Sequence, residues 1–293
     1  MNDRLIRGVF PDDNIRFAAC QAVNLCNVAV SSHQADWVSG WLLSEALTCA
    51  TLLSIDLADE ERLTLRWEYP GPLGTILADV DENAGVRGFT QRLRLMPEVT
   101  TLAEAISGQG RISVISSYPN REGRKGITPA IFRDVARDLA HFLALSFQVE
   151  TALVVGLIIA PEERIALKAA VGLLLQPLPG CDPEYFDQVR QGVERPDFRE
   201  WLEASPHRPE EVVENLPVGG AARYLDESTP SYHCHCNHAK VEAVLRMLEP
   251  EELLDMLTKD GEAQVTCHFC AKNYAFSRPD LENLLRQSQS GHA

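Results

Sequence analysis

The chain has 293 residues, 45% hydrophobic and 24% charged, with 42 acidic against 27 basic residues and a formal net charge of −15. This composition fits a soluble globular protein of more than one domain. It argues against a nucleic-acid partner, because phosphate backbones need neutralising lysine and arginine.

The start, Met1-Asn2-Asp3-Arg4, is charged and leads into no apolar stretch of the signal-peptide kind. No apolar run is read as reaching membrane-spanning length: the best candidate is interrupted by Glu45 and bounded by Asp36 and Asp56. A cytoplasmic protein with no membrane partner is the expectation. In that reducing compartment, clustered cysteines among the eight present read as metal or redox sites, not as a disulfide framework.

Two short apolar stretches, 4–10 and 14–19, flank the turn Pro11-Asp12-Asp13-Asn14 and predict a hairpin. Residues 33–55 are helix-length and apolar on most faces, which predicts a helix buried near the centre of the main domain. Cys20, Cys26 and Cys49 fall in these apolar surroundings and read as ordinary buried thiols. Alternation over 62–69, then turns at Gly71-Pro72-Leu73-Gly74 and 81–85, predicts three strands in meander order. A strand over 112–115, a turn over 123–126 and a helix over 131–147 follow. Two apolar strands, 152–160 and 165–175, are joined by Pro161-Glu162-Glu163-Arg164, short enough to make them antiparallel. The fold class expected is α+β: a large amino-terminal layered domain, with antiparallel strands around a buried helix, over residues 1–176.

Composition shifts at Pro177. Eight of the 17 prolines lie between 177 and 230, where twelve acidic residues face five basic ones. Tyr185, Phe186, Val189, Phe198, Trp201, Leu202, Val212 and Val213 are spaced like short amphipathic helices. Charged, proline-broken helices of this length are marginal alone and hold only by docking on a neighbour. Residues 177–231 therefore read as a metastable linker, with a plain interdomain connector as the blander reading. Cys181, within it, reads as incidental.

The last segment, 232–293, carries His233-Cys234-His235-Cys236 and Cys267-His268-Phe269-Cys270. Two cysteine pairs joined by a folded insert can supply the four soft donors of a tetrahedral metal site. Four thiolates select zinc over magnesium or calcium, and the spacing lacks the usual ferredoxin runs. His233, His235, His238 and His268 stand near enough to replace a ligand. A thioredoxin-like role for Cys267 and Cys270 is weak, because that motif belongs at a strand-to-helix junction. Between the pairs, two helices, a turn at 259–262 and a strand over 263–267 are expected; a return strand at 273–276 and a last helix over 279–285 follow. About sixty residues make a small core, so a metal would be part of this fold. Thiolates are also the form that oxidants attack, and loss of two would release the metal.

These residues resemble the redox-regulated holdase chaperones of the heat shock protein 33 family. The resemblance covers the whole chain. It runs through Gly71-Pro72-Leu73-Gly74, Ala78-Asp79, Val86-Arg87-Gly88 and Leu175-Gln176-Pro177-Leu178-Pro179-Gly180. In the last segment it takes in Cys234-His235-Cys236, Lys240-Val241-Glu242, Val265-Thr266-Cys267-His268-Phe269-Cys270 and Tyr274-Ala275-Phe276. Departures are Ser146-Phe147-Gln148, Val171-Gly172 and the four extra cysteines.

The resemblance implies one zinc ion held by Cys234, Cys236, Cys267 and Cys270 in the reduced protein, with the linker docked. It implies that oxidation forms Cys234–Cys236 and Cys267–Cys270 disulfides, releases zinc and unfolds the linker. The activated protein would be a homodimer that holds unfolded clients without ATP. A zinc-ribbon transcription adaptor would need a basic face, which −15 opposes. An enzyme finds no support in phosphate-loop, nucleophile-elbow or His-Glu-x-x-His motifs. A constitutive holdase with a purely structural zinc remains the nearer alternative.

Overall fold

The structure is a computed structural model that describes residues 2–160 and 166–290. It divides into two compact units, Met1–His233 and Cys234–Ala293.

The first unit opens with the expected hairpin, β1 (Arg4–Phe10) and β2 (Ile15–Gln21), closed by Asn14 in the left-handed region. Next comes α1 (Val23–His33), which the sequence reading missed. No residue of its own caps it. Asp3, ahead of β1, accepts the N–H groups of Asn24 at 2.8 Å and Leu25 at 2.7 Å. The central helix α2 (Trp37–Leu53) starts four residues later than expected, where Asp36 accepts the Ser39 N–H.

β3 (Arg62–Glu68), β4 (Thr75–Asp81) and β5 (Gly85–Thr90) form the meander. A single turn, α3 (Leu102–Ala105), precedes β6 (Gly110–Ser117). The turn expected at 123–126 leads into a further strand, β7 (Lys125–Ala130), tolerant of Pro129 because it lies at a sheet edge. Helix α4 (Val135–Ser146) begins four residues after the expected start, capped by Asp134. β8 (Ala152–Ala160) and β9 (Ala166–Pro177) pair antiparallel as expected. Their connection, Pro161 to Arg164, lies outside the described residues.

Three helices follow, α5 (Pro183–Val193), α6 (Pro196–Ala204) and α7 (Pro209–Glu214). Each starts on a proline, whose missing N–H costs nothing in a first turn. The unit ends in two short strands the sequence reading missed, β10 (Arg223–Ser228) and β11 (Ser231–Tyr232).

The strands make two sheets, ordered β10-β1-β2-β9-β8 and β11-β5-β4-β3-β6-β7. All pairings are antiparallel except β11 with β5. α2 packs between the sheets, in a core that includes Leu43, Leu47, Leu65, Trp67, Ile76 and Leu174. Helix Trp37–Asp56 is in fact long and apolar enough to cross a membrane, contrary to the expectation from Glu45, but it is mostly buried in this core. Cys20, Cys26 and Cys49 are buried there too. Burial pushes all three thiols up, Cys26 to about 12, so they stay protonated and unreactive.

The other face of the five-stranded sheet is covered by α5, α6 and α7. Phe186, Val189, Leu202, Val212 and Val213 pack on Phe17, Ala19, Val171, Leu173 and Leu175. Gly156 lets α6 approach β8: a Cβ there would stand 2.6 Å from Leu202 Cβ.

The second unit holds α8 (His238–Leu245), α9 (Pro250–Lys259), the hairpin β12 (Ala263–Thr266) and β13 (Asn273–Phe276), and α10 (Arg278–Ser290). Its core is small: Val241, Leu245, Leu253, Tyr274, Phe276, Leu281 and Leu284 are buried together.

Candidate metal centre

The four cysteines of the second unit come from two local structures. Cys234 and Cys236 lie in the extended segment that enters α8, whose start is fixed by Asn237 accepting the Lys240 N–H at 2.9 Å. Cys267 and Cys270 lie in the turn that joins β12 to β13. That turn is closed by two backbone bonds, Cys267 N–H to Lys272 O at 2.9 Å and Ala271 N–H to Cys267 O at 2.8 Å. Ala271 takes a left-handed conformation at φ 55, which reverses the chain and leaves both sulfurs on one side.

Cys234 Sγ is 3.7 Å from Cys267 Sγ, and Cys236 Sγ is 3.3 Å from Cys270 Sγ. All four sulfurs lie within 4.8 Å of one another. A tetrahedral ion with metal–sulfur bonds near 2.3 Å would set its sulfurs about 3.8 Å apart. The donor set and its spacing therefore fit a four-thiolate metal. No histidine nitrogen among the described residues joins this group of four. The ring of His238 instead packs on Phe276, with centroids 4.5 Å apart.

The thiols of Cys234, Cys236 and Cys270 do not titrate alike. Burial raises those of Cys234 and Cys270. At Cys236 burial also opposes ionisation, yet the thiol falls to about 7 because the Tyr274 hydroxyl and the neighbouring sulfurs outweigh it. Tyr274 O–H donates to Cys236 Sγ at 3.1 Å. Sequence reasoning gave Tyr274 no role. Its signal is alternation: Tyr274 pairs with Val265, two residues before Cys267, and both face the cluster side of the hairpin. Bonds to a ligating sulfur orient it and adjust its basicity. Tyr274→Phe is therefore expected to weaken metal binding about tenfold. Competition with a chromogenic chelator measures this, and unchanged affinity would leave Tyr274 a packing residue.

Elsewhere, Cys181 is half-buried, and its thiol is raised by burial and by the nearby charges of Asp182 and Asp13. None of the extra cysteines shares the four-sulfur group.

Comparison with known proteins places this geometry. The family model described as Hsp33 protein matches residues 3–277. The 33 kDa chaperonin of Desulforamulus reducens is 28% identical over 291 residues, spanning 98% of each chain. That of Bacillus subtilis is 26% identical over 291 residues, 98% of this chain and 99% of the other. The crystal structure of the 33 kDa chaperonin (HSP33) from Thermotoga maritima superposes with a TM-score of 0.87 at 25% identity, covering 99% of both chains. These relatives are named as chaperonins, not as enzymes. The match runs through the two-sheet unit and on through the four cysteines, and on that basis the chain belongs to the Hsp33 family of chaperones.

Proposed function

We propose that this chaperone is an ATP-independent holdase switched on by oxidation, with zinc held by Cys234, Cys236, Cys267 and Cys270 in its resting form. The observation that carries the reading is the convergence of four sulfurs within 4.8 Å in a unit with only a small apolar core. A bound zinc ion would keep the four sulfurs as thiolates at neutral pH and supply cohesion that the apolar core lacks.

Oxidation acts on the cysteines. Within Cys234–Cys236, and within Cys267–Cys270, two thiolates each lose one electron and form a sulfur–sulfur bond. One hydrogen peroxide takes up the electron pair, its oxygen–oxygen bond breaks, and two protons from solvent complete two waters. Disulfide sulfur is a poor metal ligand, so the ion leaves and the unit loses its support.

The linker is residues 177–231, between a client-binding domain of residues 1–176 and the switch domain of 232–293. Its helices α5 to α7 are held by side-chain docking, and its prolines and acidic residues limit their stability alone. When they leave, the apolar face containing Phe17, Val171, Leu173 and Leu175 becomes a surface for unfolded clients. The active species is a homodimer, and the location is the cytoplasm.

Light scattering of a heat-unfolding client tests the switch. Suppression of aggregation is expected only after peroxide at mild heat, together with release of one zinc ion per chain, read with a chromogenic chelator. Equal suppression in reduced and oxidised protein would instead leave a constitutive holdase with a structural zinc.

A further inference from the structure

The five-stranded sheet ends on β10, and β10 is an unusual edge strand. All six of its residues are exposed, with Tyr224 at 45% and Leu225 at 57%. It contributes nothing buried to the core. What holds it is the backbone ladder to β1, interrupted by a register shift at Arg7 and Gly8, and a few side-chain contacts. Arg4 meets Glu227 at 2.6 Å, Arg7 meets Asp226 at 3.2 Å, and the Tyr224 ring stands edge-on to Phe17 at 5.7 Å. Exposed ion pairs of this kind hold little.

β10 nevertheless occupies a well-formed seat. Gly8 has no side chain where Arg223 O passes, and a Cβ there would collide with that oxygen and with the Phe17 ring. Beneath it, β1 is a regular strand whose other edge is fixed by seven paired residues of β2. Ile6 faces the apolar side of the sheet, yet its partner across the ladder is the charged Glu227. Acidic and basic residues on an edge strand keep other chains from pairing with it. β10 thus caps an apolar strand with a polar, weakly held one.

We propose that the β1 edge is a client site: once β10 leaves, an extended apolar segment of an unfolding protein adds antiparallel to β1 in its place. This rests on the linker release proposed above, since β10 lies within residues 177–231. Backbone pairing suits a chaperone, because every extended chain offers the same N–H and C=O groups whatever its sequence. Preference would come from alternate side chains. A client residue opposite Ile6 would be apolar where β10 offers Glu227, and it would continue the face uncovered by α5 to α7. The docked linker is then a competitor in cis for the surface it protects.

Hydrogen exchange of the full chain, resolved at Arg4–Phe10, tests this with reduced, carboxymethylated α-lactalbumin as a permanently unfolded probe. Oxidation is expected to speed exchange of the outward β1 amides by about tenfold or more, and the probe to restore their protection. Probe that co-elutes with oxidised protein while those amides stay fast would overturn the proposal. So would protection that appears without probe and grows with protein concentration, because a second copy would then fill the edge.

The double variant Asp226→Pro, Glu227→Pro separates this from the redox reading. Successive strand residues point their N–H groups to opposite sides, so one of the two prolines removes a donor aimed at β1. The reduced variant is expected to bind the probe through β1, where reduced wild type does not. That result would stand even if peroxide proved to switch nothing. A variant with fast β1 amides and no bound probe would overturn the edge site alone.

Discussion

Stripping the metal from the reduced protein is expected to unfold Cys234–Ala293 while the two-sheet unit stays folded. The seven buried apolar side chains among the described residues are fewer than a sixty-residue unit needs to hold itself. A metal would tie together two separate local structures: one cysteine pair sits in an extended segment, the other in a turn that contains left-handed Ala271. Binding of structural zinc to small cysteine-rich modules is worth roughly 10–16 kcal/mol near neutral pH, and most of that is folding free energy. A chelator of sufficient affinity, under reducing conditions, should therefore abolish exchange protection in α8, α9 and α10. Amides of α2 and of β3 to β6 should not change. Cys270→Ser should reproduce the effect without chelator, because it removes one of four donors. Retained protection in α8 to α10, with metal loss verified by elemental analysis, would sink the idea that the ion holds the unit together. The proposed switch would then need another link between oxidation and the linker.

The cysteine cluster was legible because its signal is compositional: soft donors in two pairs at short spacing. Much of the fold was legible for a similar reason. Alternation over residues 62–69 and the apolarity of 33–55 on most faces are one-dimensional signals of a half-buried strand and a buried helix.

The misses have physical causes. α1 holds Asn24, Asn27, Ser31 and Ser32, which favour other conformations in isolation. Its first turn is capped by Asp3, which no local pattern reveals. β10 has no apolar alternation because no face of it is buried; its register comes from β1. The starts of α2 and α4 could have been read from Asp36 and Asp134, both N-caps, but apolar periodicity had been extended past them. Tyr274 could be named as a residue, yet its bond to Cys236 exists only once the hairpin has set Tyr274 beside the cluster.

Arg199→Ala should loosen α6 in the reduced, metal-loaded protein, and more so at high pH. Arg199 reaches from α6 to three carboxylates: Asp134 at 3.0 Å, Glu203 at 3.2 Å and Glu45 at 3.6 Å. Glu45 lies on the central helix and is 2% exposed. Among the described residues its Oε1 accepts no hydrogen bond, so the guanidinium is what faces it. Burial, and then the charge of Asp134, push the Glu45 carboxyl up to about 8 in spite of Arg199.

The sign follows. Between the ordinary 4.5 and about 8 the folded state keeps a proton that the unfolded state has lost, so stability falls as pH rises through that window. At pH 7 this lowers stability by about 3 kcal/mol, and Glu45→Gln should restore much of it and flatten the pH dependence. Without Arg199, ionising Glu45 becomes costlier still. The loss is expected near 3 kcal/mol at pH 8.5, and smaller by up to about 0.8 kcal/mol at pH 6.5, where Glu45 is protonated with or without Arg199.

Exchange at α6 amides reads both numbers. The double variant Arg199→Ala, Glu45→Gln should lose less than Arg199→Ala at pH 8.5, because no buried carboxylate is left to ionise. Arg208→Ala, whose partner Glu211 is exposed, should exchange much as wild type does at both pH values. If α6 in Arg199→Ala exchanges as slowly as in wild type at pH 8.5, side-chain packing around Leu202 alone holds the helix, and the ion cluster has no part in keeping the linker docked. If it exchanges faster, α6 is held partly by charges that cross from linker to central helix.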